Sequence, residues 1–452
     1  MNMRKLHNKH THIRTQKSIL IALMGLFLLC GTGTLRAAPV DEATARTVAA
    51  NVLGVPAEDL VNRTSELGSN YRSLMYLYVP GNGVGFVLVS ADDRALPVLA
   101  YSTTESVNAS HTTDRYTEIY WLLDIYKTQL NDLKNGSYTA SPVVAARWAE
   151  LLDGRHVPAC TPIAPLMTTT WDQSGAYQQL TPLLNRNHCL AGSAALAMAQ
   201  VMKYYNYPEQ GSGTISYTNA ANTTPKYIYV PLSGTYYAWD NMPDKLDSST
   251  TMAQDSAVAL LIYHAGVSVQ TRFHTTASLA PSNVVTIESA LRAKFQYHSM
   301  INAVSLNSSN ADNWNAMLME ELSASRPVIY RVSTAGRFVF TIDGCDDQGY
   351  YHINFGRGGD NNGYYVMGSL NPINYIYTGG NQTAIRGIVP PSTDSISISV
   401  ETNNSEWGSV SGGGRYLKYD EVTLTATPIR GARFSHWSDG ITDNPRRYVA
   451  TE

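Results

Sequence analysis

Few residues in this chain can serve as nucleophiles, bases or soft metal ligands: there are 4 Cys and 11 His in 452 residues. A thiolate, not a thiol, attacks carbonyls, so Cys30, Cys160, Cys189 and Cys345 matter only where the pKa is lowered. Cys189 directly follows His188, but adjacent side chains usually diverge, and an activated pair needs both groups aimed at one point. No CxxC pair or zinc-like Cys/His spacing occurs, so neither a metal nor a cofactor is expected. With Cys30, just past the apolar N-terminal run, expected to leave with it, three thiols remain; a Cys160–Cys189 disulfide is open in an oxidising compartment, though their spacing does not require it. His264, in "YHAGVS", and His352 read as buried, hydrogen-bonded histidines. Ser193 opens an apolar helix, where a Ser oxygen commonly caps free N–H groups for about 1 kcal/mol.

The elements that would carry these residues fall into four stretches. Residues 1–37 have Arg4, Lys5, Lys9, Arg14 and Lys17 before an apolar run, Ile19–Leu29, with Ala37 and Ala38 beyond. This is the order of a secretory signal peptide. The run is shorter than the roughly 20 residues a membrane span needs, so no stable span is expected. Lipidation at Cys30 is disfavoured because Leu28 and Leu29, not a small residue, precede it. Residues 38–145 read as a small α+β unit: a helix over "DEATARTVAANVLG", strands "RSLMYLYV" and "GFVLVSADD" around the Pro80–Gly83 turn, and a helix ending at Gly136. Residues 155–390 form the largest domain. Its helix "GSAALAMAQVMKYYNYP" is apolar nearly all round and must be buried. A second helix, "MAQDSAVALLIYHAGVSV", follows, and then the strands "RPVIYRV", "RFVFTIDGC", "GYYHINFG" and "NGYYVM". Helices first and strands later indicate an α+β fold. After the linker "VPPSTDS", residues 395–452 alternate at period two and read as a small β module. A formal net charge of -3 gives no reason to expect nucleic acid.

The segments "WDQSGAY", "GSAALAMAQVMKYYNYPEQGSG", "LLIYHAGVSV", "FTIDGCDDQGYYHINFGRGG" and "NNGYYVMGSLNP" resemble streptopain-type cysteine peptidases, in that family's order. The resemblance implies a papain-like fold for residues 155–390. "GFVLVSADDRALPVLAYS" resembles the family's pro-domain or the related inhibitor module. The tail "GSVSGGGRYLKYDEVTLTATPIRGARFSHWSDG" is similar to the internalin-type B repeat, a β-grasp-like module, and implies surface or matrix presentation. Aligned through Ala197–Gln200 and Met202–Tyr204, the family's nucleophilic Cys falls on Ser193. Through Asp343, Gly344 and Asp346, its catalytic His falls on Phe338 and the preceding Gly on Arg337. Gln173 matches the oxyanion Gln, and Asn354 the orienting position. Phe355 and Arg357 stand where the family has Trp.

These substitutions decide the chemistry the resemblance implies. A Ser hydroxyl is not ionised at neutral pH and needs a base within hydrogen-bond reach, and Phe338 is no base. Losing the members of such a pair costs on the order of 10⁴ to 10⁶ in rate. The expectation is a proteolytically inactive homologue, secreted or at the bacterial cell surface, retained for binding extracellular proteins or peptides or its own pro-domain. The alternatives are an active endopeptidase with a relocated nucleophile and a surface adhesion or structural protein.

Overall fold

The computed structural model describes residues 39–114, 117–280, 286–333 and 337–451. The expected signal peptide with Cys30, and the side chain of Arg337, lie outside what is described. The described residues up to Pro390 form one compact unit, and those from Pro391 form another.

The first unit opens with α1 (Glu42–Leu53), which starts where the Asp41 carboxylate accepts the Thr44 N–H and stops at Gly54, whose φ of 65° needs no Cβ. An antiparallel meander follows: β1 (Leu60–Asn62), β2 (Met75–Pro80), β3 (Phe86–Ser90) and β4 (Val98–Ser102). Then come α2 (Glu118–Asn135) and α3 (Pro142–Leu152). Sequence reading missed α3, although Pro142 at its first position and the Ser141 hydroxyl accepting from Val144 N–H are ordinary start signals.

Beyond α3 the chain forms the hairpin β5 (Leu183–Leu184) and β6 (Asn187–His188), then α4 (Ser193–Tyr205). A second hairpin, β7 (Thr214–Thr218) and β8 (Tyr227–Pro231), precedes α5 (Met252–Ser268) and α6 (Ile287–Phe295). After β9 (Asn302–Ser305) and α7 (Trp314–Ser323) come β10 (Val328–Ser333), β11 (Arg337–Cys345), β12 (Tyr351–Asn354), β13 (Gly363–Tyr365) and β14 (Gln382–Arg386). As its all-round apolar sequence requires, α4 is buried from Ser193 to Met202, packed between α5 and β11.

One sheet runs through the whole unit, in the order β1-β2-β3-β4-β13-β12-β11-β10-β14-β9. The join is β4 on β13, with Tyr101 opposite Tyr364 and Ala100 opposite Tyr365. Period-two alternation then splits β11 between two cores. Val339 packs with α4, α5 and α6, while Phe338, Phe340 and Ile342 join the cluster that contains Trp121, Leu122 and Ile125 of α2. An aromatic series crosses the same boundary: Trp121 meets Phe340 at 6.3 Å between ring centres, Phe340 meets Phe355 at 5.5 Å, and Phe86 meets Tyr365 at 6.3 Å.

The second unit holds β15 (Ser395–Ile398), β16 (Gly408–Ser411), β17 (Gly414–Leu417), β18 (Glu421–Pro428) and β19 (Arg446–Val449). β15 pairs with β17, and β18 lies between β16 and β19. Val422, Leu424 and Ala426 alternate inward from β18 onto Trp437. Among the described residues no helix is long and apolar enough to cross a membrane.

Candidate active site

The N-terminus of α4 is set by Gly192, which caps the helix at φ 93°. A Cβ there would lie 2.7 Å from the Ser278 carbonyl oxygen, so both the torsion and the space call for glycine. Ser193 is therefore the first helical residue and makes no capping bond, which corrects the capping expectation. Its hydroxyl instead points across to β11 and accepts the Val339 N–H at 3.2 Å. That donor is one peptide from Phe338, so the two positions meet at one place. Phe338 is 4% exposed and Ser193 6%.

Gln173 lies in the same region, with its carbonyl accepting the Ala191 N–H at 2.9 Å just before α4. Its side-chain Nε2 donates to Glu118 Oε1 at 3.4 Å. Glu118 opens α2, is 1% exposed, and holds Arg357 through Oε2 at 3.0 Å. Burial disfavours the Arg357 charge, but the Glu118 carboxylate, with Asp172 and Asp114, outweighs it and the guanidinium pKa lies above its ordinary value. Thus an acid from the stretch before residue 145 sits on the Gln expected to stabilise an oxyanion, tied by an Arg where the family resemblance expects Trp. Nothing in the residues around Glu118 marks it for this role. The retrospective signal is that a cation at 357, on a cleft wall expected to be aromatic, requires a buried partner.

A second contact lies beside it. Asn108 N–H donates to Asn361 Oδ1 at 2.9 Å, and Asn108 Nδ2 to Asp360 Oδ2 at 2.8 Å. His111 Nδ1 lies 3.1 Å from Asn361 Nδ2. Burial, then the Arg357 charge, lowers the His111 pKa.

Asn354 is occupied structurally. Its Nδ2 donates to the Thr169 carbonyl at 2.7 Å, and its Oδ1 accepts from Gln200 Nε2 at 3.3 Å and from Gly356 N–H at 3.0 Å. His352 Nδ1 is bound to Asp343 Oδ1 at 2.6 Å, and His264 Nδ1 to the Tyr237 hydroxyl at 3.1 Å.

Nor do the thiols show activation. Burial pushes Cys189 up to about 11, the opposite of what a nucleophile needs, and neighbouring His188 places Nδ1 on the Thr181 carbonyl at 2.7 Å. Cys189 packs with Ile215, Ile228, Val267 and Phe273, apart from Cys160. The Cys160–Cys189 pairing left open from sequence is therefore not brought together. Cys160 instead meets Cys345, because residues 159–163 run alongside the end of β11.

Comparison with known proteins matches residues 171–365 to the Peptidase C10 family, 37–130 to the Spi protease inhibitor and 398–451 to the divergent InlB B-repeat domain. Streptopain from Streptococcus pyogenes is 30% identical over 362 residues, spanning 74% of this chain and 84% of that protein. The thiol protease/hemagglutinin PrtT of Porphyromonas gingivalis is 28% identical over 400 residues, 83% of this chain and 44% of PrtT. Among solved structures, a fragment of Prevotella intermedia prointerpain A carrying a Cys→Ala mutation superposes with a TM-score of 0.58 at 25% identity, covering 70% of this chain and 95% of that one. These similarities agree with the layout of pro-domain, papain-like body and B repeat, and the chain belongs to the peptidase C10, or streptopain, family.

Proposed function

We propose that this chain is a proteolytically inactive streptopain homologue, secreted or displayed at the bacterial surface, whose peptidase fold serves binding. The observation that carries this reading is the environment of Ser193: its oxygen is engaged by the Val339 backbone N–H, and the aligned base position beside it is the buried ring of Phe338. A serine without an imidazole or amine to take its proton has no route to an acyl-enzyme. Binding needs less than catalysis, since a cleft keeps its backbone groups and walls when the reacting pair is lost. The pro-domain is the cleft's resident ligand, with Glu118 set on Gln173 and Arg357, and an external protein or peptide has to displace it.

Incubation of the purified full-length chain with casein tests the catalytic half. No fragments are expected from the wild type or from Ser193→Ala. Casein cleavage by the wild type that Ser193→Ala abolishes overturns the proposal. Rapid labelling of one thiol by an iodoacetamide probe, coupled to cleavage, would favour the relocated-nucleophile alternative instead.

A further inference from the structure

Two of the three thiols among the described residues converge at a place remote from Ser193. Cys345 ends β11, and Cys160 lies in the strap that follows α3. The Cys160 thiol donates to the Asp346 carbonyl at 3.2 Å and the Cys345 thiol donates to the same oxygen at 3.3 Å. The two thiols are therefore neighbours around one shared acceptor. Their backbones are already clamped in register. Ala159 and Cys160 donate N–H groups to the Asp347 carbonyl at 2.7 and 3.0 Å, and Ile163 and Cys345 exchange both backbone hydrogen bonds at 2.7 and 2.9 Å. Both cysteines are free. Cys345 is buried and Cys160 partly exposed, so an oxidant in solution has a way in.

We infer that Cys160 and Cys345 form a disulfide that staples the strap between pro-domain and body onto the end of β11. The inference is independent of whether Ser193 acts chemically. The oxidant is a small-molecule disulfide. The Cys160 thiol gives its proton to solvent and attacks one oxidant sulfur, releasing the first small thiol and leaving a mixed disulfide on Cys160. The Cys345 thiolate then attacks the Cys160 sulfur and expels the second small thiol. The two protein thiols lose two electrons and two protons, and the oxidant becomes two thiols. Burial, then the Asp346 charge, raises the Cys160 pKa, and burial with the neighbouring thiol raises that of Cys345, so exchange speeds up as the solution is made alkaline.

The consequence is mechanical. Asp346 lies under the pro-domain, its carboxylate accepting the Tyr101 hydroxyl at 2.6 Å. A staple beside it keeps the strap seated if the chain is cut between Leu152 and Cys160.

Full-length wild-type protein is incubated with oxidised glutathione at mildly alkaline pH, alkylated and digested with trypsin. Cys160, Cys189 and Cys345 then lie in separate peptides, His156–Arg186, Asn187–Lys203 and Phe338–Arg357, with Cys30, where the N-terminal segment is retained, in Ser18–Arg36. The expected result is His156–Arg186 linked to Phe338–Arg357, two hydrogens lighter than their sum, with Cys189 alkylated. Glutathione retained on Cys160 with Cys345 alkylated, alkylation of Cys160, Cys189 and Cys345 alike, or a link to Asn187–Lys203 overturns the inference. The oxidised protein is also expected to melt several degrees above the reduced protein, a difference absent in Cys160→Ser. An equal midpoint would show that the bond staples nothing. If Cys160→Ser fails to fold, the wild-type peptide map still decides.

Discussion

On the proposed reading the reacting pair is lost through two side chains, and the scaffold around Ser193 makes that loss reversible in principle. Gly192 still sets the helix start, Gln173 still lies beside it, and β11 still passes within hydrogen-bond distance. Restoring the pair with Ser193→Cys and Phe338→His puts a thiol at a helix N-terminus and an imidazole one peptide from its contact, the conditions that depress a thiol pKa. The double variant is expected to label with a thiol probe far faster than either single variant. Equal labelling of all three would mean that the aligned positions do not face one another. His264 offers a residue-scale prediction in stability. Burial lowers its pKa from 6.5 to about 4, so the folded state favours the neutral ring. That stability is fully present above 6.5 and is lost as pH falls through about 4, on the order of 3 kcal/mol in all. His264→Gln, which can still hydrogen-bond Tyr237, is expected to flatten the acid limb of urea midpoints measured across this range. An unchanged limb would reassign it to other groups, His111 first among them.

At the scale of elements, the helix that matters most for access to the cleft is α2, whose N-terminal end is anchored by one buried ion pair. Glu118 sits at the positive end of the helix dipole, and its own burial leaves it dependent on Arg357 and Gln173. Breaking a buried pair costs about 3–5 kcal/mol because the survivor is stranded, and less where the survivor can reach water. Arg357, 18% exposed, can relax toward solvent better than Glu118, 1% exposed. Arg357→Ala is therefore expected to destabilise more than Glu118→Ala in urea unfolding, and an apolar pair at both positions to recover most of the loss. The reverse order of the single variants would show that the carboxylate is solvated. Residues such as Glu118 explain what could be read from sequence and what could not. The helix itself was plain from its spacing and from Gly136. Its partner, Arg357, stands far along the chain, and periodicity carries no information about pairs of that separation. Likewise the strand around Phe338 was legible by alternation, but which core each face joins depends on α2 arriving from elsewhere. Ser193 was misjudged as a cap because a glycine one residue earlier can take the cap conformation, and composition alone does not place that boundary.

For the whole molecule, the decisive feature is that pro-domain and body share one sheet rather than meeting as two closed surfaces. The pro-domain supplies β1 to β4, and β4 covers the edge of β13 that would otherwise present unpaired N–H and C=O groups. It also covers Phe338, Phe340 and Ile342, whose cluster continues into Trp121 and Ile125. On the proposed reading nothing is gained by shedding this domain, and losing it exposes apolar surface and an open strand edge together. A body beginning at Arg155 and produced without residues 39–152 is accordingly expected to associate or precipitate, with high-molecular-weight species in size-exclusion chromatography where the longer chain elutes as a single compact species. Supplying residues 39–152 as a separate chain during refolding is expected to return soluble body, and Arg357→Ala to weaken that rescue, because α2 would dock with Glu118 unpaired. If the isolated body is monomeric and melts as the full chain does, the β4–β13 join contributes nothing to its integrity and the cleft is open by default.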